Sequence, residues 1–166
     1  MAENSVAPVA RGDSFFKGGT ADAAGGGHLE GLVHVFPATD PDNRTIRRNG
    51  GNNVCVLVRN DSGGALLPGI AVKWKAGSEG KAVDAFSGSG NVNSHAAGFV
   101  DDHLPAAGVP DNDLFWIVVK GPNKAYTAGS VAANTHCAVS ASDGHVIAAS
   151  GTSVPIAINT VGINFT

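Results

Sequence analysis

The sequence predicts an all-β protein: a small β-sandwich or barrel of short antiparallel strands with an extended N-terminal arm. Three observations carry that expectation. Short apolar segments recur at roughly the 8–12-residue spacing of sandwiches and barrels, separated by Gly, Asn and Pro turns. The composition is rich in glycine, with 23 in 166 residues, and poor in charge at 15%, against about a quarter in an average domain. No long stretch shows the 3.6-residue apolar period of a helix.

Residues 1–50 read as an extended arm plus a first strand, and 51–166 as the β-domain. The arm, residues 1–28, is dominated by Ala, Gly, Asp and Ser, with Gly25-Gly26-Gly27 as a flexible joint. Phe15 and Phe16 stand out in it. Adjacent aromatics in a polar arm have little local apolar surface to bury against, so they are candidate anchors into a partner or back onto the domain. Leu29 to Phe36 is a first strand, with Val33 and Val35 on one face and Leu32, His34 and Phe36 on the other. Pro37 to Asn43 is a loop. Thr45 to Arg48 is a short polar extended piece, and Asn49-Gly50-Gly51-Asn52 is a turn.

Asn53 to Arg59 is apolar on both faces and is expected to be a central strand. Asn60 to Gly64 turns the chain. Leu66 to Trp74 is a strand interrupted at Pro68-Gly69, which suggests a bulge or an edge. Ala82 to Phe86 and Ala97 to Val100 follow, then the most apolar run, Leu114 to Lys120, closed by Gly121-Pro122. Later strands are expected at Lys124–Thr127, His136–Ser140, His145–Ala149, Val154–Ile158 and Val161–Phe165. The expected core comprises Trp116, Ile117, Val119, Val56, Leu57, Trp74 and Phe99. It is a light core for one domain, and oligomerisation would supplement it.

Charge narrows the partners. The net charge is -3, and the one basic cluster, Arg44, Arg47 and Arg48, sits beside Asp40 and Asp42. Nucleic-acid binding needs several phosphate-neutralising cations on one face, so no nucleic-acid partner is expected. No membrane partner is expected either, since no segment approaches the 18 or so apolar residues of a span. The N-terminus lacks the charged start and apolar core of a signal peptide. Cys55 and Cys137 are therefore expected as reduced thiols.

Catalytic and metal signals are weak. Asp61-Ser62-Gly63-Gly64 echoes a serine-protease nucleophile loop, but Asn60 stands where a glycine belongs, and Thr135-His136-Cys137 follows the serine instead of preceding it. A β-turn is the expected reading. Gly77-Ser78-Glu79-Gly80-Lys81 lacks the glycine of a phosphate-binding loop, because position 75 is lysine. Asp101-Asp102-His103 groups metal-ligating side chains, but on a strand neighbours point to opposite faces, so at most two would converge, and a solvated acidic loop is expected. No catalytic, cofactor-binding or metal residues are assigned, and no cofactor or enzymatic activity is expected.

The region from about Val58 to Ala149 resembles the capsid decoration (cement) proteins of tailed bacteriophages. The residues that carry the resemblance are Val58 to Gly63, Leu67-Pro68-Gly69, Val72-Lys73-Trp74, Ala97 to Asp101, Leu104 to Gly108, Leu114 to Gly121 and Ala128 to Ala132. The resemblance implies a protein of the virion, made in the bacterial cytoplasm, that binds the outer capsid surface. Its partner would be the major capsid protein, and it would be a homo-oligomer, with a trimer favoured. The arm would reach across the shell, with Phe15, Phe16, Arg44, Arg47 and Arg48 as candidate capsid-binding residues. The alternative is a carbohydrate- or receptor-binding β-module of a fibre or adhesin, using Trp74, Trp116 or Tyr126 as stacking platforms.

Overall fold

The computed structural model describes residues 29–36, 52–86, 96–140, 143–149 and 157–158. The strands are β1 (Val33–Phe36), β2 (Asn53–Asn60), β3 (Ala71–Trp74), β4 (Ala82–Ala85), β5 (Ala96–Val100), β6 (Leu114–Lys120), β7 (His136–Val139), β8 (Val146–Ala148) and β9 (Ala157–Ile158). Among the described residues there is no helix longer than a turn.

A sheet ordered β2-β4-β3-β5-β6 closes on itself through the β2–β6 pairing. The result is a five-stranded barrel. β2 holds it together. One edge pairs with β6 along most of its length, from Val54↔Lys120 to Arg59↔Leu114. The other edge is shared: Asn53 to Val56 pair with β1, and Arg59 and Asn60 pair with β4. The β2–β4 pairing is parallel, where only antiparallel pairs were expected. The hairpin β3–β4 is antiparallel, so its second arm runs the same way as β2 when it inserts beside it.

Alternation along β2 and β6 explains their continuous hydrophobicity. Val58, Phe115 and Ile117 point into the barrel, where they meet Val72, Val83 and Val100 from the other three strands. Leu66, Ile70, Leu104 and Val109 plug the interior from the loops. Cys55, Leu57, Leu114, Trp116 and Val118 point outward and are covered by Leu29 and Phe36. Phe36 meets Trp116 edge-on with ring centroids 5.3 Å apart, and His34 packs on Phe36 at 4.6 Å. Both strands are thus buried on two faces, as their sequences require.

A three-stranded sheet, β8-β7-β9, lies beside the barrel. Val139 of β7 packs on Ala71, Phe86 and Phe99 of the barrel's outer face. Val131, Cys137 and Val146 pack against Phe99 and Ala125. Cys55 and Cys137 are both buried, and neither is in a disulfide.

Several expectations are corrected. Val119 is not in the core but 42% exposed. The register jumps there: Cys55 pairs with Val118 and Val54 with Lys120, so Val119 is the extra residue of a bulge and turns outward. Lys124 to Thr127 forms no strand and makes only an isolated bridge, Thr127↔Val146. The segment Leu66 to Trp74 is a strand only from Ala71, while Leu66 bridges Val109. Val56, Trp74 and Phe99 are partly buried rather than central. The expected strand at residues 161–165 lies outside the described residues, as does the arm with Phe15, Phe16, Arg44, Arg47 and Arg48.

Candidate interaction surfaces

The catalytic candidates are tied into the scaffold. Asn60 is fully buried at the end of β2. Its amide N–H groups reach the carbonyls of Gly64, Val109 and Pro110 at 2.8, 2.9 and 3.0 Å. Its carbonyl accepts from the backbone N–H of Ser62 at 3.1 Å and from the Ser62 hydroxyl at 2.7 Å. The Ser62 hydroxyl is therefore a turn contact. Where a serine nucleophile would have a general base, Ser62 has an amide, and in place of the β-turn expected from sequence residues 62–64 form a bend closed by the Asn60 side chain. The asparagine that spoils the protease-like motif is the residue that pins the two loops together.

Asp101, Asp102 and His103 differ from expectation. Their ligand atoms all lie within 4.8 Å of one another. The chain leaves β5 at Val100 and turns, and the His103 N–H donates to Asp101 Oδ1 at 3.1 Å. The strand argument fails because these residues are not on a strand. Nor is the loop solvated throughout, since Asp101 is fully buried. His103 Nε2 lies 3.6 Å from Asp102 Oδ1, and the backbone N–H of Asp102 donates to Asn123 Oδ1 at 3.3 Å. These contacts bind the turn to the Gly121–Lys124 segment.

A different surface gathers motifs that are far apart in sequence. Leu66 and Val109 exchange backbone hydrogen bonds at 3.0 and 2.8 Å, with both side chains buried. That pairing turns Leu67 outward over Gly108. A Cβ on Gly108 would sit 3.3 Å from Leu67 Cδ2. Gly69 is the crossing point of the loops. Its N–H donates to Val100 O at 3.0 Å, and its carbonyl accepts from the Tyr126 N–H at 2.9 Å. It must be glycine: its φ is +79°, and a Cβ would lie 2.8 Å from Lys124 O. Tyr126, 52% exposed, is held beside Leu67's loop by that bond, and its ring stacks on His145 with centroids 5.3 Å apart. His145 Nδ1 in turn lies 3.2 Å from Asp143 Oδ2. Hydrogen bonding from Ser140, then from the His145 backbone and the nearby His145 ring, holds the Asp143 carboxyl below its ordinary value.

Comparison of the chain with protein-family models, curated proteins and solved structures finds no match. The site must be read from its own geometry.

Among the described residues the exposed large hydrophobic side chains are Leu67 and Tyr126 on the loop surface, Leu32, Val33 and Val35 at β1, and Val119 at the bulge. Trp116 is 1% exposed and belongs to the core. Trp74 packs against the barrel interior. Of the three aromatic platforms considered from sequence, Tyr126 alone offers an exposed ring. Sequence reasoning missed the Leu67–Tyr126 surface. Its local signal was Leu67-Pro68-Gly69, a loop motif with an apolar residue that its turn leaves in solvent.

Proposed function

We propose that the chain is a structural capsid decoration protein, without enzymatic activity, that binds the outer surface of a tailed-bacteriophage head and strengthens contacts between major capsid subunits. The observation that carries this reading is the convergence at the loop surface. Leu67-Pro68-Gly69 and Leu104 to Gly108, two of the motifs behind the resemblance, fold against each other, and Tyr126 adjoins them through Gly69. Leu67 and Tyr126 are exposed there. Exposed apolar and aromatic side chains on rigid loops are the usual anchors of a protein interface. Many identical sites on a shell add avidity to a small contact. In this reading the arm, through Phe15 and Phe16 and the cluster Arg44, Arg47 and Arg48, supplies a second contact, and a homo-oligomer engages neighbouring capsid subunits together.

The test is co-sedimentation with expanded, undecorated shells. The protein should pellet with the shells at micromolar concentration. Leu67→Glu combined with Tyr126→Glu should lower shell affinity by about tenfold or more, the loss of a hot-spot pair, with the circular dichroism unchanged. Wild-type protein that stays in the supernatant sinks the proposal. The stacked and exposed Tyr126–His145 pair favours one other reading, a glycan-binding platform. A glycan array that gives binding lost in Tyr126→Ala, with no shell binding, would select it.

A further inference from the structure

β1 is an edge strand. Among the described residues it pairs with β2 alone. The Leu57 N–H donates to Leu32 O at 2.8 Å, so the Leu32 carbonyl turns toward β2, while the Leu32 N–H donates back to Leu29 O at 3.1 Å. Antiparallel ladders alternate, so positions 34 and 36 also turn toward β2, while the N–H and C=O groups of Val33 and Val35 point to the open side. Natural edges are blunted by lysine, proline, bulges or inward charges. Val33-His34-Val35-Phe36 carries no charged residue and no proline. It also pairs with β2 in regular register. One face of the strand is spent: His34 and Phe36 pack over Trp116. The other is open, with Val33 59% and Val35 51% exposed.

We propose that β1 is a homotypic interface, closed by the β1 of a second copy in a two-fold antiparallel pair centred on His34. The strand's own pattern selects this occupant. Rotation about an axis perpendicular to the sheet and midway between the two strands, at the level of His34, sets Val33 opposite the mate's Val35. Every outward N–H and C=O of Val33 and Val35 then meets a complementary group. The same rotation keeps the faces matched. The valines of both copies form one apolar patch of β-branched cross-strand pairs, and a continuous sheet runs from β6 through β2 and β1 into the mate. No like charges oppose one another along the strand. This contact is independent of the shell-binding reading. It is also distinct from the loop surface at Leu67 and Tyr126 and from the threefold assembly implied by the resemblance.

Sedimentation equilibrium on the full chain, without shells, tests it. The wild type should show a monomer–dimer equilibrium with a Kd on the order of tens of micromolar, fitting a small interface. Val35→Pro removes one outward N–H without touching a β2 hydrogen bond. Val33→Lys places charge at the edge. Each should raise the Kd at least about tenfold. Both positions are solvent-exposed, and unchanged tryptophan emission from the buried Trp116 reports an intact fold. A monomer throughout the concentration range overturns the proposal. So does an oligomer that forms equally well in folded Val35→Pro and Val33→Lys proteins. Failure here with intact shell binding removes only the β1 contact. Loss of shell binding with an intact dimer removes only the decoration reading.

Discussion

The barrel and the small sheet beside it are built from similar strands but keep their cores differently. The barrel closes on itself. Each of its five strands sends a side chain into one interior, with Val58, Val72, Val83, Val100, Phe115 and Ile117 all buried there. The β7–β9 sheet has no such interior. Among its buried residues, Val139, Cys137 and Val146 complete their packing with Phe99, Phe86, Ala71 and Ala125. Backbone bonds finish the docking: the Ala71 N–H donates to Gly144 O at 2.9 Å, and the Val146 N–H to Tyr126 O at 2.7 Å. A closed sheet has no edges to satisfy, whereas a short open sheet is stable only against a neighbour. The barrel should therefore stand without the sheet, and the sheet should not stand without the barrel. The Tyr126–His145 stack sits on the seam between them, so the loop surface depends on that docking.

The largest effect should come from Trp116→Ala, which empties the outer core of β2 and β6. A buried aromatic truncated to alanine costs about 3–5 kcal/mol. Chemical denaturation should show one transition, with β7 and β8 amides losing exchange protection together with the barrel. Sheet amides that stay protected when the barrel opens would show that the sheet is autonomous and break the comparison.

Asn60→Ala should follow, at about 1–3 kcal/mol, because the carbonyls of Pro110, Gly64 and Val109 lose the Asn60 amide, and Val109 O keeps only its bond from the Leu66 N–H. Denaturant midpoints measure the loss. Asn60→Asp should not rescue it, because a carboxylate cannot donate to those carbonyls.

Gly144→Ala sharpens the comparison, since it acts on the seam alone. Gly144 has φ +72°, and a Cβ there would lie 2.5 Å from Ala71 O. The left-handed backbone alone costs about 1–2 kcal/mol for a non-glycine residue, and the clash adds to it. Hydrogen exchange should rise in β7 and β8 and leave β2 and β6 unchanged. Equal loss in both regions would mean that docking and barrel stability are one cooperative unit.

The smallest effect is the acid response of the same seam. The Asp143 carboxyl is held below its ordinary 3.8. A depressed folded-state value means that the ionised carboxylate stabilises the fold above 3.8 and that this contribution disappears as pH falls through the lower folded value. Asp143 is 44% exposed, so water screens the interaction and only a few tenths of a kcal/mol are at stake. Comparing stability at pH 6 and pH 3 should show a slightly smaller acid loss in Asp143→Asn than in the wild type. An identical loss would remove Asp143 from the seam's energetics.

Much of the barrel was legible in the chain. Asn53 to Arg59 and Leu114 to Lys120 are apolar at consecutive positions, and only a strand covered on both faces tolerates that. The alternation in Val33 to Phe36 also announced one buried and one open face, and Val33 and Val35 are the exposed pair. The candidate site was less legible. Tyr126 and Leu67 lie on loops with no periodicity, and their proximity follows from Gly69, whose tight crossing admits no side chain.

The sequence by itself determined the all-β class, the turns at Asn and Gly, and which strands are central, because side-chain alternation and turn stereochemistry are local properties. Tertiary structure decided the rest. It decided that β4 enters parallel beside β2, that Val119 is expelled at a bulge, and that Asp101 is buried in a turn where three ligating groups meet. It also left β1, among the described residues, with β2 as its one partner strand. Each of these depends on register between segments distant in the chain, such as the 69-residue separation bridged by Asn53 Nδ2 and Pro122 O at 2.8 Å. Register is set by how the whole barrel closes, and no local pattern encodes that.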